Sequence, residues 1–227
     1  MARLGELTWS DLWRAQRRPL IAVPVGSCEQ HGPHLPLDTD TRIATALAEA
    51  LSAAFEPGDV VVAPPLTITA SGEHASFPGT LSIGNEVMEH LLVELVRSAD
   101  WSSGVVLVNG HGGNAQAVHR AERTLTMEGR KVLAWWPRVP GGDAHAGETE
   151  TSLMLAIAPE LVDWSAAAPG NTAPLADLVD DLREGGVRAV SRSGVLGDPT
   201  TATGSHGRTL LTKLTIDLVA AVDEWWQ

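Results

Sequence analysis

The segment Gly104-Val-Val-Leu-Val-Asn109, followed at once by Gly110-His-Gly-Gly-Asn114, decides the fold class. A short apolar run that ends in a glycine-rich turn is typical of a buried strand in a parallel sheet. Residues 114–129 then carry apolar side chains at helical spacing. This order of strand, turn and helix predicts a parallel sheet with helices packed against it.

The same alternation extends in both directions along the chain. Further strands are predicted for residues 19–27, 59–68 and 131–136, and further helices for residues 39–55, 85–101, 150–158 and 207–226. Strands that alternate with helices are typical of the α/β class. The sequence therefore predicts a three-layer fold, in which helices on both faces cover a mainly parallel sheet.

Composition limits the organisation and the partners of the chain. The chain has 227 residues, 44% of them hydrophobic, so a single domain over residues 1–227 is expected. Its formal charge of −12 has the wrong sign for binding a nucleic-acid backbone. No apolar run is long enough to cross a membrane, and Cys28, the only cysteine, has no partner for an intrachain disulfide. We expect a cytoplasmic protein that binds neither nucleic acid nor a membrane.

Four polar loops, each of them after a predicted strand, are the candidate functional regions. They cover residues 26–40, 71–80, 109–114 and 141–152. Because ligands collect at the carboxyl ends of parallel strands, these loops are expected to meet in one crevice. They contain five of the eight histidines, namely His31, His34, His74, His111 and His145. For His34 and His74, hydrogen bonding within the loops is as good an explanation as a role in a site.

The first loop offers a carboxylate and an imidazole two residues apart, Glu29 and His31. In extended chain these side chains project to the same side, so both can reach one cation. Asp40 stands where the next helix should begin, and its alternative role is a helix N-cap, which Thr39 could fill instead. Beside Glu29 and His31, the interpretation of Asp40 as a ligand is favoured.

The third loop presents His111 in a glycine-rich turn. No Lys-Ser or Lys-Thr pair follows, so the turn is not a phosphate-binding loop. Taken alone, His111 is as well explained by a structural hydrogen bond as by metal ligation.

The fourth loop contains His145, Glu148 and Glu150 shortly after Trp135 and Trp136. One of these tryptophans is expected to wall an apolar pocket, and at most one, because adjacent side chains on a strand face opposite ways. Glu148 and Glu150 are either ligands or favourable charges in a first helical turn.

The donor set favours a hydrolytic metal site. Carboxylate and imidazole ligands without a thiolate suit zinc, manganese or iron(II), and Asp40 can bridge two ions. Such an ion lowers the pKa of water and polarises an amide carbonyl, so neither a serine nor a cysteine nucleophile is needed. His145 is then the candidate proton donor to the leaving amine. The competing hypotheses are a thiol nucleophile at Cys28 and a metal-binding protein without catalysis.

Four ordered motifs carry a resemblance to a known family: GSCEQHGPHLPLDTDT from residue 26, SGEHASFPGT from residue 71, VNGHGGN from residue 108 and HAGETETS from residue 145. In these motifs the chain resembles the creatininase family of metal-dependent amidohydrolases. The resemblance implies a creatininase-like fold, a homo-oligomer, and one or two divalent ions per subunit. It also implies metal ligation by Glu29, His31, Asp40 and His111, with Asp40 as the bridge.

One position departs from the family pattern. Creatininase carries a glutamate two residues beyond the histidine that matches His111, and here that position is Gly113. Creatinine is therefore a doubtful substrate, and a second ion would be short of one ligand. Glu150 is our choice to fill the gap, Glu148 is the other candidate, and a site with a single ion is the alternative.

The longer runs HLPLDTDTRIA from residue 34 and MEGRKVLAWWPRVPGGDAHAGETETSLMLAIAPELV from residue 127 are most similar to peptidases of this family that trim a modified precursor peptide. That similarity implies release of a carboxyl-terminal Val-Tyr dipeptide. The alternative substrate is a small cyclic amide or a formamide.

Overall fold

A computed structural model describes all residues from Met1 to Gln227. It contains five strands, β1 (Ala2–Arg3), β2 (Leu20–Val25), β3 (Val60–Val62), β4 (Gly104–Asn109) and β5 (Val132–Trp135). The helices are α1 (Trp9–Arg14), α2 (Thr39–Ala54), α3 (Gly84–Ser98), α4 (Ala115–Met127), α5 (Glu148–Ile157), α6 (Leu175–Gly185), α7 (Val187–Val190) and α8 (Gly204–Trp226).

The strands form one sheet in the order β1-β3-β2-β4-β5, and every pair of neighbours is parallel. The central strands β2 and β4 pair over their whole length, from Leu20 beside Gly104 to Val25 beside Asn109. Both strands therefore end at the same level of the sheet, and the loops that follow them begin side by side.

Two apolar clusters cover the two faces of this sheet. Because side chains alternate along a strand, Val106 and Val108 of β4 join helices α2, α5 and α8 on one face. Val105 and Leu107 join α3 and α4 on the other face. The predicted three-layer α/β fold with a parallel sheet is confirmed.

The strand predicted at residues 59–68 is shorter than expected and ends at Val62. Pro64 and Pro65 follow it, and proline has no N–H to donate to a neighbouring strand. The chain nevertheless stays beside β2, because the Leu66 amide donates to the Pro24 carbonyl over 2.9 Å. The loop after β3 is thereby brought to the same edge of the sheet as the loops after β2 and β4.

None of the helices combines the length and the apolar character that a membrane crossing needs.

Candidate metal centre

The loops after β2, β3 and β4 are joined by one buried side chain, Asn114. Its amide nitrogen donates to the Gly26 carbonyl over 3.0 Å and to the Asn109 side chain over 3.1 Å. Its amide oxygen accepts from the Ala70 N–H over 3.0 Å. The convergence expected from the parallel sheet is therefore present, and Asn114 holds it.

Asp40 lies at the centre of the converging loops. It stands in the first turn of α2 with its side chain buried, and its Oδ2 accepts from the Ser27 hydroxyl over 2.8 Å. The N-cap residue of α2 is Asp38, which makes no capping bond through its side chain. The Thr39 hydroxyl donates instead to the Pro36 carbonyl. The interpretation of Asp40 or Thr39 as the helix cap is therefore wrong.

Two histidines lie on opposite sides of the Asp40 carboxylate. Oδ1 is 3.1 Å from His31 Nε2, and Oδ2 is 3.1 Å from His111 Nδ1. His31 Nδ1 lies 3.2 Å from the Glu29 carbonyl and donates to it, so Nε2 is the nitrogen left to face Asp40. His111 Nε2 donates to the Ala70 carbonyl over 3.0 Å, which leaves Nδ1 to face Asp40 in the same way. A carboxylate between two imidazole nitrogens is suited to bridging two cations when those nitrogens are unprotonated.

Glu29 brings a second buried carboxylate to this cluster. Its side chain has no solvent exposure, and neither of its oxygens accepts a hydrogen bond. Oε2 is 3.1 Å from His111 Nε2, and Oε1 is 3.3 Å from His74 Nε2. Burial raises the pKa of Glu29 to about 8. A buried carboxylate without donors is stable only when a cation or a proton neutralises it.

The two histidines beside Asp40 hold protons more tightly than usual in the absence of an ion. Burial lowers the pKa of His31, but the charge of Asp40 and its hydrogen bond outweigh that effect and raise the pKa to about 10. For His111, burial is likewise outweighed, by Glu29 and Asp40, and the pKa rises well above its ordinary value. A cation at this position would therefore replace protons.

His145 faces the same cluster from the fourth loop. Its Nε2 donates to the Gln30 carbonyl over 2.8 Å, so Nδ1 carries the lone pair and lies 3.8 Å from Glu29 Oε1. Burial, with the neighbouring His31 and His74, holds the pKa of His145 well below its ordinary value. The neutral ring can accept a proton at Nδ1, as the predicted role requires. The same position would also suit a ligand, since the donor atoms of Glu29, His74 and His145 lie within 4.8 Å of one another.

Glu150, rather than Glu148, reaches the cluster. Glu150 Oε2 is 3.8 Å from His31 Nε2 and accepts from the Ala146 N–H over 2.6 Å. Ala146 adopts a positive φ of 52°, a conformation that residues other than glycine seldom adopt. This local turn directs Glu150 inward. Glu148, two residues before Glu150 in α5, lines a different cavity with Arg138 and Lys213.

Sequence reasoning missed the role of Gln30. Its amide oxygen accepts from the Gly32 N–H over 2.8 Å, which fixes the orientation of the amide. Its amide nitrogen lies 2.8 Å from His74 Nδ1 and 3.2 Å from the Gly194 carbonyl, and it donates to both. His74 Nε2 then lies 3.3 Å from Glu29 Oε1, without forming a hydrogen bond to it. The position of Gln30 between the predicted ligands Glu29 and His31 was the signal that could have identified it.

Two other polar side chains of the loops lie apart from this arrangement. His34 Nε2 bonds to the Thr151 hydroxyl over 2.9 Å. The Cys28 thiol donates to the Gly79 carbonyl, and Cys28 is absent from the lining of the cavity over Asp40. The competing hypothesis of a cysteine nucleophile therefore has no geometric support.

A cavity of about 180 Å³ opens over Asp40, His111, His145 and Glu150. Its apolar lining residues are Ala144, Leu175, Leu182, Val187 and Leu196. The expectation that Trp135 or Trp136 lines the pocket is wrong. Trp135 is buried toward α8, where its Nε1 donates to Asp217 over 3.0 Å, and Trp136 packs on His119 at the opposite face of the sheet.

The family model described as creatininase, creatinine amidohydrolase, matches residues 5–222. The chain belongs to the creatininase family. A curated relative from Mycolicibacterium smegmatis, the mycofactocin precursor peptide peptidase, is 52% identical over 91% of this chain and 85% of its own length. Its namesake from Mycobacterium ulcerans is 50% identical over 99% of this chain and 92% of its own length. The creatinine amidohydrolase of Pseudomonas putida is 30% identical over 92% of this chain and 91% of its own.

Solved structures of the creatininase family share the whole fold. A crystal structure of creatinine amidohydrolase superposes with a TM-score of 0.81 at 26% identity, covering 99% of this chain and 98% of that one. A manganese form of creatininase superposes with a TM-score of 0.80 at 25% identity, covering 99% of this chain and 98% of that one. A creatininase mutant of zinc–zinc type superposes with a TM-score of 0.78 at 26% identity, covering 98% of this chain and 97% of that one. This creatininase-family chain is accordingly a hydrolase of the α/β class.

Proposed function

We propose that this chain is a metal-dependent peptidase that releases the carboxyl-terminal Val-Tyr dipeptide from the modified mycofactocin precursor peptide. The observation that carries the chemistry is the buried cluster around Asp40, in which histidines and carboxylates face one another and both oxygens of Glu29 lack a hydrogen-bond partner. The peptide substrate is supported by the relatives that are 50–52% identical in sequence, which are named for activity on that precursor.

The residues around Asp40 fit a divalent cation. Both oxygens of Glu29 are buried and accept no hydrogen bond, so the cluster is short of positive charge. The donor set of imidazoles and carboxylates suits zinc, manganese or iron(II). The residues that would hold one or two ions are Glu29, His31, Asp40, His111 and Glu150, with Asp40 as the bridge. Manganese and zinc forms of related creatininases support the same class of ion.

When bound, such an ion lowers the pKa of water and polarises the amide carbonyl. The protein residues position the substrate and move protons. His145 Nδ1 points into the cluster and is unprotonated, because Nε2 donates to the Gln30 carbonyl. We infer that it accepts a proton there and passes it to the leaving amine. Gln30 holds the rings of His145 and His74 in their orientations.

The cavity wall supports an apolar group beside the scissile bond. Leu175 and Leu182 of α6 and Val187 of α7 line the cavity together with the carboxylates. No lysine or arginine lines this cavity, so binding within it relies on apolar contact and hydrogen bonds. We infer that the wall packs on the valine or tyrosine side chain of the dipeptide.

The test offers modified precursor peptide and creatinine separately to one metal-loaded sample and follows Val-Tyr by mass spectrometry. We expect dipeptide release with little creatinine turnover. Release should weaken when the terminal carboxylate is amidated or the tyrosine is replaced by glycine. Intact peptide after prolonged incubation, with the same sample turning over creatinine rapidly, would overturn the peptidase assignment.

The alternative function is hydrolysis of a small cyclic amide or a formamide. The volume of the cavity favours it, because 180 Å³ is below the roughly 300–1,000 Å³ of most ligand pockets. A cavity of this size would admit only one end of a peptide. Turnover of a small amide without dipeptide release is the result that supports this alternative.

The homo-oligomer implied by family membership stays a prediction. The exposed Trp9 and Trp13 of α1, at 78% and 84% exposure, line one surface cavity with Trp101 and support self-association, since a contiguous exposed apolar patch is typical of an interface. Light scattering after gel filtration should give a mass that is a multiple of 24.0 kDa. A monomer mass at high protein concentration would contradict it.

A further inference from the structure

Glu73 is a carboxylate at the edge of the Asp40 cluster that the ligand set above does not include. It lies in a short 3-10 turn, Gly72–His74, in the loop after β3. Its side chain is two-thirds covered, at 32% exposure, and Oε1 is 3.4 Å from His111 Nε2. It lines the same cavity as Asp40 and Glu150. His111 is the only basic side chain within ion-pair distance of it.

The space that holds this carboxylate exists because residue 113 has no side chain. A Cβ added at Gly113 would overlap Glu73 Oε1 and His111 Nε2, and would lie 2.7 Å from the Ala70 carbonyl. Gly113 is not among the glycines with positive φ, so its backbone conformation does not require glycine. The glycine is therefore explained by the room that Glu73 and His111 occupy.

Glu73 and Glu150 lie beside the two histidines that flank Asp40, but at different ring nitrogens. Glu150 Oε2 lies 3.8 Å from His31 Nε2, the nitrogen that faces Asp40 Oδ1. Glu73 Oε1 lies 3.4 Å from His111 Nε2, which is also 3.1 Å from Glu29 Oε2, whereas Nδ1 of that ring faces Asp40 Oδ2. Each side of the bridging carboxylate thus has one histidine and one partly covered glutamate.

We propose that Glu73 is a metal ligand on the His111 side of Asp40, and that Gly113 is required because it leaves room for that carboxylate. This inference rests on the proposed metal-dependent function. It gives a role to a fourth carboxylate beside a cluster that already contains Glu29, Asp40 and Glu150. The competing role is positioning, in which Glu73 only orients the His111 ring.

The Glu73→Gln variant separates these roles, because glutamine keeps the size and an oxygen acceptor for His111 but loses the charge. The experiment measures Mn²⁺ binding to the full chain, without substrate, by equilibrium dialysis and by the EPR spectrum of the bound ion. A ligand role predicts that one ion per chain is lost, or that its Kd rises by more than the roughly 10- to 100-fold that loss of an outer-shell partner costs. A smaller rise in Kd with unchanged stoichiometry overturns the proposal.

Two pairs of matched variants sharpen the result. Gly113→Ala should reproduce the loss of Mn²⁺, whereas Gly112→Ala should not, because a Cβ at Gly112 meets nothing within 4 Å. Glu148→Gln removes a carboxylate outside the cavity and should bind Mn²⁺ as the wild type does. Circular dichroism verifies that each variant is folded. If the wild type itself binds no divalent ion, the proposed function fails; wild-type binding that is unchanged in Glu73→Gln defeats this inference alone.

Discussion

The two sides of Asp40 are built differently, although each presents a histidine to the same carboxylate. On the His31 side the supporting glutamate, Glu150, comes from the first turn of α5, more than a hundred residues away in sequence. On the His111 side the neighbours come from the loops after β2 and β3, which Asn114 joins to the β4 loop. One side depends on a helix terminus and the other on a buried hydrogen-bonded side chain. The two sides can therefore be disrupted separately.

Replacing the shared residue should disrupt both sides at once. In Asp40→Asn the size is kept but the bridging charge is lost, so we expect loss of bound metal and a fall in turnover of about 10⁴-fold, or about 5.4 kcal/mol at 1.36 kcal/mol per tenfold. Metal analysis and the peptide assay check both. Wild-type metal content and rate in this variant would show that the carboxylate has only a structural role.

His145→Ala should remove the proton transfer and leave both sides of Asp40 intact. We expect turnover to fall by about 10²- to 10⁴-fold, the range for loss of a general acid, with metal content retained. Metal analysis of the same preparation that is assayed is the deciding measurement. If metal and activity are lost together, His145 is a ligand and the assignment of its role changes.

Glu150→Gln should weaken only the His31 side. We expect one ion to be lost, or its affinity to fall by more than the roughly 10- to 100-fold that loss of an outer-shell partner costs. Glu148→Gln is the control, because that carboxylate lies in the same helical turn but lines another cavity. Calorimetric titration with Mn²⁺ measures both variants. Equal affinity in the two variants would remove Glu150 from the site.

Asn114→Ala should loosen the His111 side through the fold rather than through the chemistry. The Ala70 N–H and the Gly26 carbonyl lose their buried partner, which should lower the free energy of unfolding by about 1–3 kcal/mol. The control is Asn85→Ala, because the Asn85 side-chain oxygen is buried without a partner. Urea unfolding measures the difference. Equal destabilisation by the two changes would mean that Asn114 does not hold the loops together.

The fold was predictable where strong local patterns coincide with burial. The strand at Gly104–Asn109 has the predicted bounds, since a continuous apolar run is bordered on both sides by glycine and polar residues. Helix α6 was not predicted, although Leu175, Leu178, Val179 and Leu182 stand at helical spacing in it. Only Leu178 of this helix is buried, so its apolar side faces the cavity more than the core. This unpredicted helix nevertheless supplies Leu175 and Leu182 to the cavity wall.

The candidate site was predictable in its loops but not in its details. The convergence of Glu29, His31, Asp40 and His111 follows from strands that end at one edge of a parallel sheet. The prediction that a tryptophan lines the pocket was wrong because β5 directs Trp135 into the core on one face of the sheet. The placement of Glu73 depends on the space over Gly113, a contact between residues forty apart that periodicity does not reveal. Whether these residues are metal ligands stays a prediction.

Removal and return of metal tests the central claim most directly. Protein is stripped with a chelator, dialysed, and assayed for Val-Tyr release from modified precursor peptide before and after addition of Zn²⁺, Mn²⁺ or Fe²⁺. A parallel sample is alkylated at Cys28, which should change the rate little because its thiol lies outside the cavity over Asp40. The account predicts that stripped protein is inactive and that at least one of these ions restores the rate. Full activity in protein shown by elemental analysis to be metal-free would contradict it.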